Sequence, residues 1–354
     1  MRKLGIVGIR GGLPRARMTA HYGNIDIVTA CDIDAAQRDT AAALGIEVFD
    51  DFNEMLRKAP LDSLIIATPN HLHCEMTLQA FAAGLDVFVE KPLATTVTEC
   101  DEMIAAGEAV GKFMMVGLCY RHSNLYQAFV NRIAAGSVGK PRMIWCKEFR
   151  GHWNPGHGDW RYSQAKSGGS LVEKNCHHFD IFNWAIQSRP VRVQAFGGHA
   201  VHDYCETIDH ATVNIEYENG VKGTLMLSLF MPELDQLEIG VLGDAGKIET
   251  AQLHGRPAAS GVDAPPQLLA QTLSIWPLPD GTETRQTVAP YYCPLWPDGK
   301  DQHLGSGRQF KVFNECLTQG RTPTIDGGIG RESVVIPFAA EESIANGGTL
   351  IELA

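Results

Sequence analysis

The feature that most constrains this chain is an alternation of short apolar runs and helical patterns over its first third. Leu4-Gly5-Ile6-Val7, Ile27-Val28-Thr29-Ala30-Cys31, Ser63-Leu64-Ile65-Ile66-Ala67, Asp86-Val87-Phe88-Val89 and Phe113-Met114-Met115-Val116 read as strands. Helical spacing fills the gaps at 34–44, 52–58, 73–83 and 97–110. Strands that are apolar at consecutive positions are buried on both faces, so the pattern predicts a parallel sheet covered by helices on each side. Right-handed crossovers then give a doubly wound α/β domain.

Beyond about residue 120 the pattern changes. Residues 125–135 and 171–186 read as helices and 141–149 as a strand. Runs at 191–196, 212–217, 223–229, 236–243 and 246–248 follow with no helix between them. Such runs pair as an antiparallel or mixed sheet, so the second domain is expected to be α+β. Glu218-Asn219-Gly220 suits a hairpin turn with positive φ. Pro257, Pro265, Pro266, Pro277, Pro279, Pro290, Pro294 and Pro297 make 255–300 read as an irregular surface excursion, because proline is excluded from helix interiors and central strands. Residues 307–317 and 331–345 read as closing helices and 350–353 as a last strand. A chain of 354 residues has room for two cores, and the expected domains are 1–120 and 121–354.

Charge and cysteine content narrow the function classes. Thirty Lys+Arg against 41 Asp+Glu give a net charge of −11, which opposes capture of nucleic acid or an anionic membrane. No apolar run reaches the roughly 18–20 residues of a spanning helix. The start, Met1-Arg2-Lys3-Leu4-Gly5, reads as a strand rather than a signal peptide. Nine cysteines, odd in number and never spaced Cys-x-x-Cys, predict reduced thiols and a cytoplasmic protein.

The first strand runs into Gly8-Ile9-Arg10-Gly11-Gly12-Leu13-Pro14. A glycine turn between the first strand and helix of such a sheet brings backbone N–H groups to a pyrophosphate. Arg10 and Leu13 stand at the second and third places of Gly-x-Gly-x-x-Gly, so the turn geometry is expected to differ, with Gly11 and Gly12 keeping it flexible. Asp32 lies at the end of the second strand, where a carboxylate accepts from adenosine ribose hydroxyls and repels a 2′-phosphate. That favours NAD over NADP, although Arg10 could tolerate the extra phosphate. A capping role for Asp32 is the structural alternative. Thr68-Pro69-Asn70-His71-Leu72-His73 and Glu90-Lys91-Pro92 follow the third and fourth strands, at the carboxyl ends where such sheets bind ligands. For Lys91 the alternative is a solvated pair with Glu90, for His73 a packing role, and Pro92 could fix the chain through a cis bond.

Together these elements resemble the Gfo/Idh/MocA family, the glucose–fructose oxidoreductase and inositol dehydrogenase group. Gly168-Gly169-Ser170-Leu171-x-Glu173-x-Asn175-x-His177-x-x-Asp180 is similar to the family's Gly-Gly-x-Leu-x-Asp-x-Gly-x-His-x-x-Asp element. Glu341-x-Ser343 with Gly347-Gly348 resembles its closing helix and strand. The resemblance implies an N-terminal Rossmann domain and a C-terminal domain with a large, mostly antiparallel open sheet. It implies a homodimer or homotetramer formed through that sheet. It further implies hydride transfer between NAD(P) and a secondary alcohol or ketone of a sugar, cyclitol or related polyol, with Lys91 and His177 as the catalytic pair. Glu173 and Asn175 stand where the family has Asp and Gly. A second reading within the family is a glycosidase-like enzyme that oxidises the sugar transiently, without net cofactor turnover.

Each residue type suits that chemistry. Alcohol oxidation requires loss of a hydroxyl proton, and imidazole accepts protons near neutral pH. Glu173 and His177 are four apart, so on a helix they share a face and can interact. Lys91 supplies positive charge where alkoxide character develops, or acts as the base itself. The expected cofactor contacts are Gly8, Arg10, Gly11, Gly12, Asp32, Thr68, Pro69, Asn70, His73, Glu90 and Lys91. Trp160 and Arg161, in an aromatic stretch over 152–162, are expected substrate contacts because aromatic faces suit sugar rings; buried anchoring is the alternative. Tyr120, Arg121, His178 and His303 complete the expected substrate shell, with an interdomain ion pair as the alternative for Arg121 and packing for His178. A metal site built on His152, His157, His177 and His178 is disfavoured, since helical metal pairs sit at i, i+4 rather than i, i+1.

Overall fold

The computed structural model describes residues 1–151, 159–231, 234–255, 267–279, 281–292, 295 and 305–353. β1 (Arg2–Val7) turns at Gly8 directly into α1 (Ile9–His21). Then come β2 (Ile25–Cys31), α2 (Ala35–Ala42), β3 (Glu47–Phe49), α3 (Phe52–Lys58) and β4 (Ser63–Ile66). After them come α4 (His73–Ala82), β5 (Asp86–Val89), α5 (Val97–Val110) and β6 (Met114–Val116). The six strands are parallel in the order β3-β2-β1-β4-β5-β6, the doubly wound dinucleotide order. β4 and β5 are buried along their whole length, which is why they read as unbroken apolar runs. Helix starts are set by side chains. Asp34 accepts from Ala36 N, Asp51 from Glu54 N and Thr96 from Glu99 N, while Glu99 reaches back to Thr95 N. β3, three residues long, carries too little pattern to be seen in the sequence.

The next elements are α6 (Asn124–Ala134), β7 (Pro141–Gly151), α7 (Gln164–Ser167) and α8 (Ser170–Ile186). β8 (Pro190–Gly198), β9 (His210–Tyr217), β10 (Lys222–Met231), β11 (Leu234–Gly243), β12 (Gly246–Gly255), β13 (Gln267–Pro277) and β14 (Thr284–Thr287) follow. The chain closes with α9 (Ser306–Gln319), α10 (Gly327–Ala345) and β15 (Ile351–Glu352). The second sheet runs β14-β13-β12-β11-β7-β10-β9-β8-β15, with β7 and β10 parallel and the other neighbours antiparallel. Its strands alternate. Val213, Ile215, Leu225, Leu227, Ile144 and Ile239 face the core with Phe129 of α6 and Phe179 and Phe182 of α8. Phe196, Met226, Met143 and Leu242 face outward and are exposed.

Two details correct the sequence reading. The segment 255–300 is not wholly irregular, since it contributes β13 and β14. Its prolines bracket β13 rather than interrupt it, because positions 267–276 hold none. The hairpin at Glu218-Asn219-Gly220 joins β9 and β10 as expected, but only Gly220 has positive φ (87°). Gly220 N bonds Tyr217 O, the pattern of a turn ending in a glycine bulge.

The chain divides into two compact units, Met1–Leu118 with Ser306–Glu332, and Cys119–Gly305 with Ser333–Ala354. The expected boundary near 120 omitted the return of 306–332 to the first unit. Helix α9 explains that return. Phe310 and Phe313 pack on Phe88 with ring centroids 5.0 and 5.3 Å away, and Asn314 Nδ2 donates to Thr19 O and Gly23 O. No helix among the described residues is long and apolar enough to cross a membrane.

Candidate active site

In the first unit, the expected cofactor residues gather at the carboxyl ends of the adjacent strands β2, β1, β4 and β5. Gly8 has φ 83°, and a Cβ there would fall 2.4 Å from Ala67 O. Only glycine fits that turn. Gly11 and Gly12 are not in a flexible loop but in the first turn of α1, where Gly12 N bonds Gly8 O at 2.8 Å. A Cβ at Gly12 would fall 2.2 Å from Ile6 Cγ2, so this glycine serves close packing of helix on strand. Arg10 is exposed on the same turn.

Asp32 braces the turn. Its Oδ2 accepts from Ile9 N at 2.8 Å and its Oδ1 from Asp34 N at 3.0 Å. Asp34, not Asp32, caps α2. A carboxylate offers about four acceptor positions, so both oxygens retain capacity for ribose hydroxyls. Arg38, not anticipated, clamps Asp32 O and Ile33 O.

Thr68, Pro69 and Asn70 form the turn after β4, with Asn70 buried. His73 is fully buried. Its Nδ1 lies 2.9 Å from Pro92 O and its Nε2 3.1 Å from Thr68 O. It therefore ties the loops after β4 and β5 together, and the packing alternative describes it rather than a cofactor contact. Burial lowers its pKa below the ordinary 6.5. Glu90 forms an ion pair with Arg15, whose Nη1 also donates to Gly11 O at 2.6 Å. Arg15 thus joins the two cofactor loops, a role the sequence did not signal. The Lys91-Pro92 bond is cis. A glycine cradle at a helix N-terminus, a carboxylate at the end of β2 and a lysine at the end of β5 fit a dinucleotide.

In the second unit, α8 carries Glu173, Asn175, His177, His178 and Asp180. Gly169 (φ 105°) leads into it, and the Glu341 carboxylate, from α10, accepts from Leu171 N at 2.8 Å. The Tyr120 ring lies face to face with His177, centroids 4.3 Å apart. Arg161 Nε lies 3.4 Å from Glu173 Oε1, and its guanidinium sits 4.6 Å above the Trp160 ring. Trp160 is half-buried, so it is neither a core anchor nor a bare platform. Arg121 is bidentate on buried Asp180 and covers Trp184, an ion pair within the second unit and not the interdomain pair of its alternative. His178 is 1 % exposed, with Nδ1 3.3 Å from Glu148 Oε2, so packing describes it rather than the substrate-facing position expected. His303, and the histidines at 152 and 157, lie outside the described residues.

Behind α8 lies a charged network that sequence reading missed. Glu148 and Arg150 are two apart on the core face of β7, with Arg150 Nε donating to Glu148 at 2.8 Å and Nη1 lying 3.5 Å from Asp235 Oδ2. Asn175 Nδ2 donates to Glu148 Oε2, so the side chain at the family's glycine place serves this carboxylate. Burial raises the Glu148 pKa, but His178 first and Arg150 next outweigh it and hold the carboxyl below its usual value. Two opposite charges at i, i+2 on a core face were the available signal.

Burial pushes Glu341 from 4.5 up to about 7. The charged form is therefore penalised in the folded state. Stability present below pH about 4.5 is lost as pH rises to about 7, by on the order of 3 kcal/mol. Glu341→Gln should remove that loss, so its stability relative to the native chain rises across this window. Denaturant unfolding at several pH values checks it; a constant difference between the two proteins would refute it.

Residues 2–118 match a family model described as an oxidoreductase family with an NAD-binding Rossmann fold, and residues 126–249 one described as the GFO/IDH/MocA C-terminal domain. The chain is 26% identical to scyllo-inositol 2-dehydrogenase (NAD(+)) of Bacillus subtilis over 311 residues, covering 87% of this chain and 82% of that protein. It is 27% identical to 2,7-anhydro-N-acetylneuraminate hydratase of Mediterraneibacter gnavus over 213 residues, 59% of this chain and 56% of that one. The latter match thus spans just over half of its relative. In fold, the WlbA dehydrogenase of Bordetella pertussis, solved with NADH and UDP-GlcNAcA, superposes with a TM-score of 0.80 at 22% identity, covering 99% of this chain and 98% of that one.

Proposed function

Because the chain belongs to the Gfo/Idh/MocA oxidoreductases, we propose that it transfers a hydride between NAD(H) and one secondary hydroxyl or ketone of a cyclitol, sugar or related polyol. The observation that carries this reading is the set formed by Gly8, Asp32 and Lys91 at neighbouring strand ends. The N-terminus of α1 and Gly8 would hold the pyrophosphate, Asp32 the adenosine ribose, and the turns at Thr68-Pro69-Asn70 and Glu90-Lys91 the nicotinamide half. NAD, when bound, accepts the hydride. His177 takes the hydroxyl proton at an imidazole nitrogen, and the Lys91 ammonium stabilises the developing negative charge on the substrate oxygen. Glu173 and Arg161 orient groups around His177, and Trp160 offers a face to the sugar ring. Sequence relatives named for inositol support a cyclitol or polyol substrate.

The hydratase among the relatives favours a second reading, transient oxidation without net cofactor turnover. A panel of polyols and glycosides assayed with NAD separates the two. NADH accumulation supports dehydrogenation, glycoside cleavage without it supports the second, and neither reaction would refute both. Asp32→Ala should raise the NADP-to-NAD ratio of kcat/KM at least about tenfold, as the like-charge repulsion of the 2′-phosphate is lost. An unchanged ratio would remove Asp32 from the ribose site.

Oligomerisation is proposed through the outer face of the second sheet, where Phe196 and Met143 are 55% and 49% exposed. Sedimentation of Phe196→Glu should show smaller particles than the native protein. Among the described residues, Cys31, Cys74, Cys100, Cys146, Cys205 and Cys316 carry free thiols, which supports a cytoplasmic setting.

A further inference from the structure

Among the described residues, the shortest ring-to-ring contact of the second unit joins Tyr120 to His177, with planes 13° from parallel. Tyr120 is itself pinned on its other sides. Its ring stacks on Tyr126 with centroids 5.2 Å apart and meets the edge of His178 at 5.5 Å. Its hydroxyl accepts from Arg150 Nη2 at 3.4 Å, and Arg150 is held in turn by Glu148 and Asp235. These contacts together hold the ring against His177.

We propose that Tyr120 is a positioning residue for His177, fixing the plane of the imidazole and steadying it when it carries the abstracted proton. The proposal rests on the reading of His177 as proton acceptor. A cation against an aromatic face is stabilised by the ring quadrupole, so the imidazolium gains more from this contact than the neutral ring does. Tyr120 does not compete for the proton, because burial drives its hydroxyl well above the ordinary range and keeps it a neutral phenol. Among the described residues, the titratable and charged groups around the pair include Glu173 and His178 on α8, Arg150 and Glu148 on β7, Asp235 on β11 and, through Glu173, Arg161. Tyr120→Phe loses only the hydroxyl contact with Arg150, so comparing it with a ring-less variant separates the ring's contribution from that contact.

The test is the titration of His177 in the full-length protein with NAD bound, followed by NMR of isotopically labelled histidine and assigned with His177→Gln. Tyr120→Phe keeps the stack and should leave the midpoint unchanged. Tyr120→Leu should lower it by about half a pH unit. The rising limb of the kcat/KM–pH profile should move with it, and kcat should fall about tenfold with KM little altered. Tyr120→Met, a flexible side chain without a ring that fills irregular gaps, replaces the leucine variant if that variant does not fold. An unmoved His177 midpoint in a folded ring-less variant would overturn the proposal. A midpoint that moves while the kinetic limb stays in place would support the stack and refute His177 as proton acceptor.

Discussion

Lys91→Ala and His177→Ala should each lower turnover at least about a hundredfold while NAD affinity is retained. A hundredfold loss corresponds to about 2.7 kcal/mol of transition-state stabilisation, the scale of one positioned charge or one proton acceptor. Affinity survives because cofactor binding is ascribed to the Gly8 turn and Asp32, which keep their mutual contacts when either side chain is truncated. Lys91→Arg should not restore the rate, since a planar guanidinium does not reproduce a compact ammonium. Steady-state kinetics beside NAD titration checks this. Near-normal turnover in both alanine variants would remove these residues from the chemistry.

Glu148→Ala should destabilise the protein by about 3 kcal/mol or more, because it strands a buried guanidinium. The Glu148 carboxylate is wholly buried, and Arg150 is nearly so. Asp235 remains as a weaker partner at 3.5 Å, which places the loss at the lower end of the range for a broken buried pair. Asn175 Nδ2 and His178 Nδ1 also lose their acceptor. Glu148→Gln keeps the volume and one oxygen and should lose less. Urea unfolding at neutral pH measures both, and a loss under about 1 kcal/mol for the alanine variant would show that the network is dispensable.

The nucleotide unit was the more legible half because its strands are buried on both faces and its loops carry punctuation. Unbroken apolar runs located β1, β4 and β5, and Asp32 and Lys91 stood out as charges directly at strand ends. The glycine turn was read with the wrong geometry, since Gly11 and Gly12 follow Gly8 so closely that the loop reading and the helical one share a sequence. What was illegible depends on contacts far apart in the chain. Arg15 meets Glu90 across 75 positions, Glu341 caps Leu171 across 170, and Asn314 reaches Thr19 across 295. None has a local period or spacing. The tail elements Glu341 and Ser343 were recognised by resemblance alone. Their roles, capping α8 and joining Ala195 N to Thr349 O, emerge only in three dimensions.

The most direct test of the central claim is NADH production, followed by its near-ultraviolet absorbance, when the protein is supplied with NAD and a set of inositols, sugars and other polyols. Hydride transfer from a secondary alcohol predicts net NADH formation with at least one of them, abolished by His177→Ala. No NADH with any of them, and no oxidation of NADH by the corresponding ketones, would contradict it.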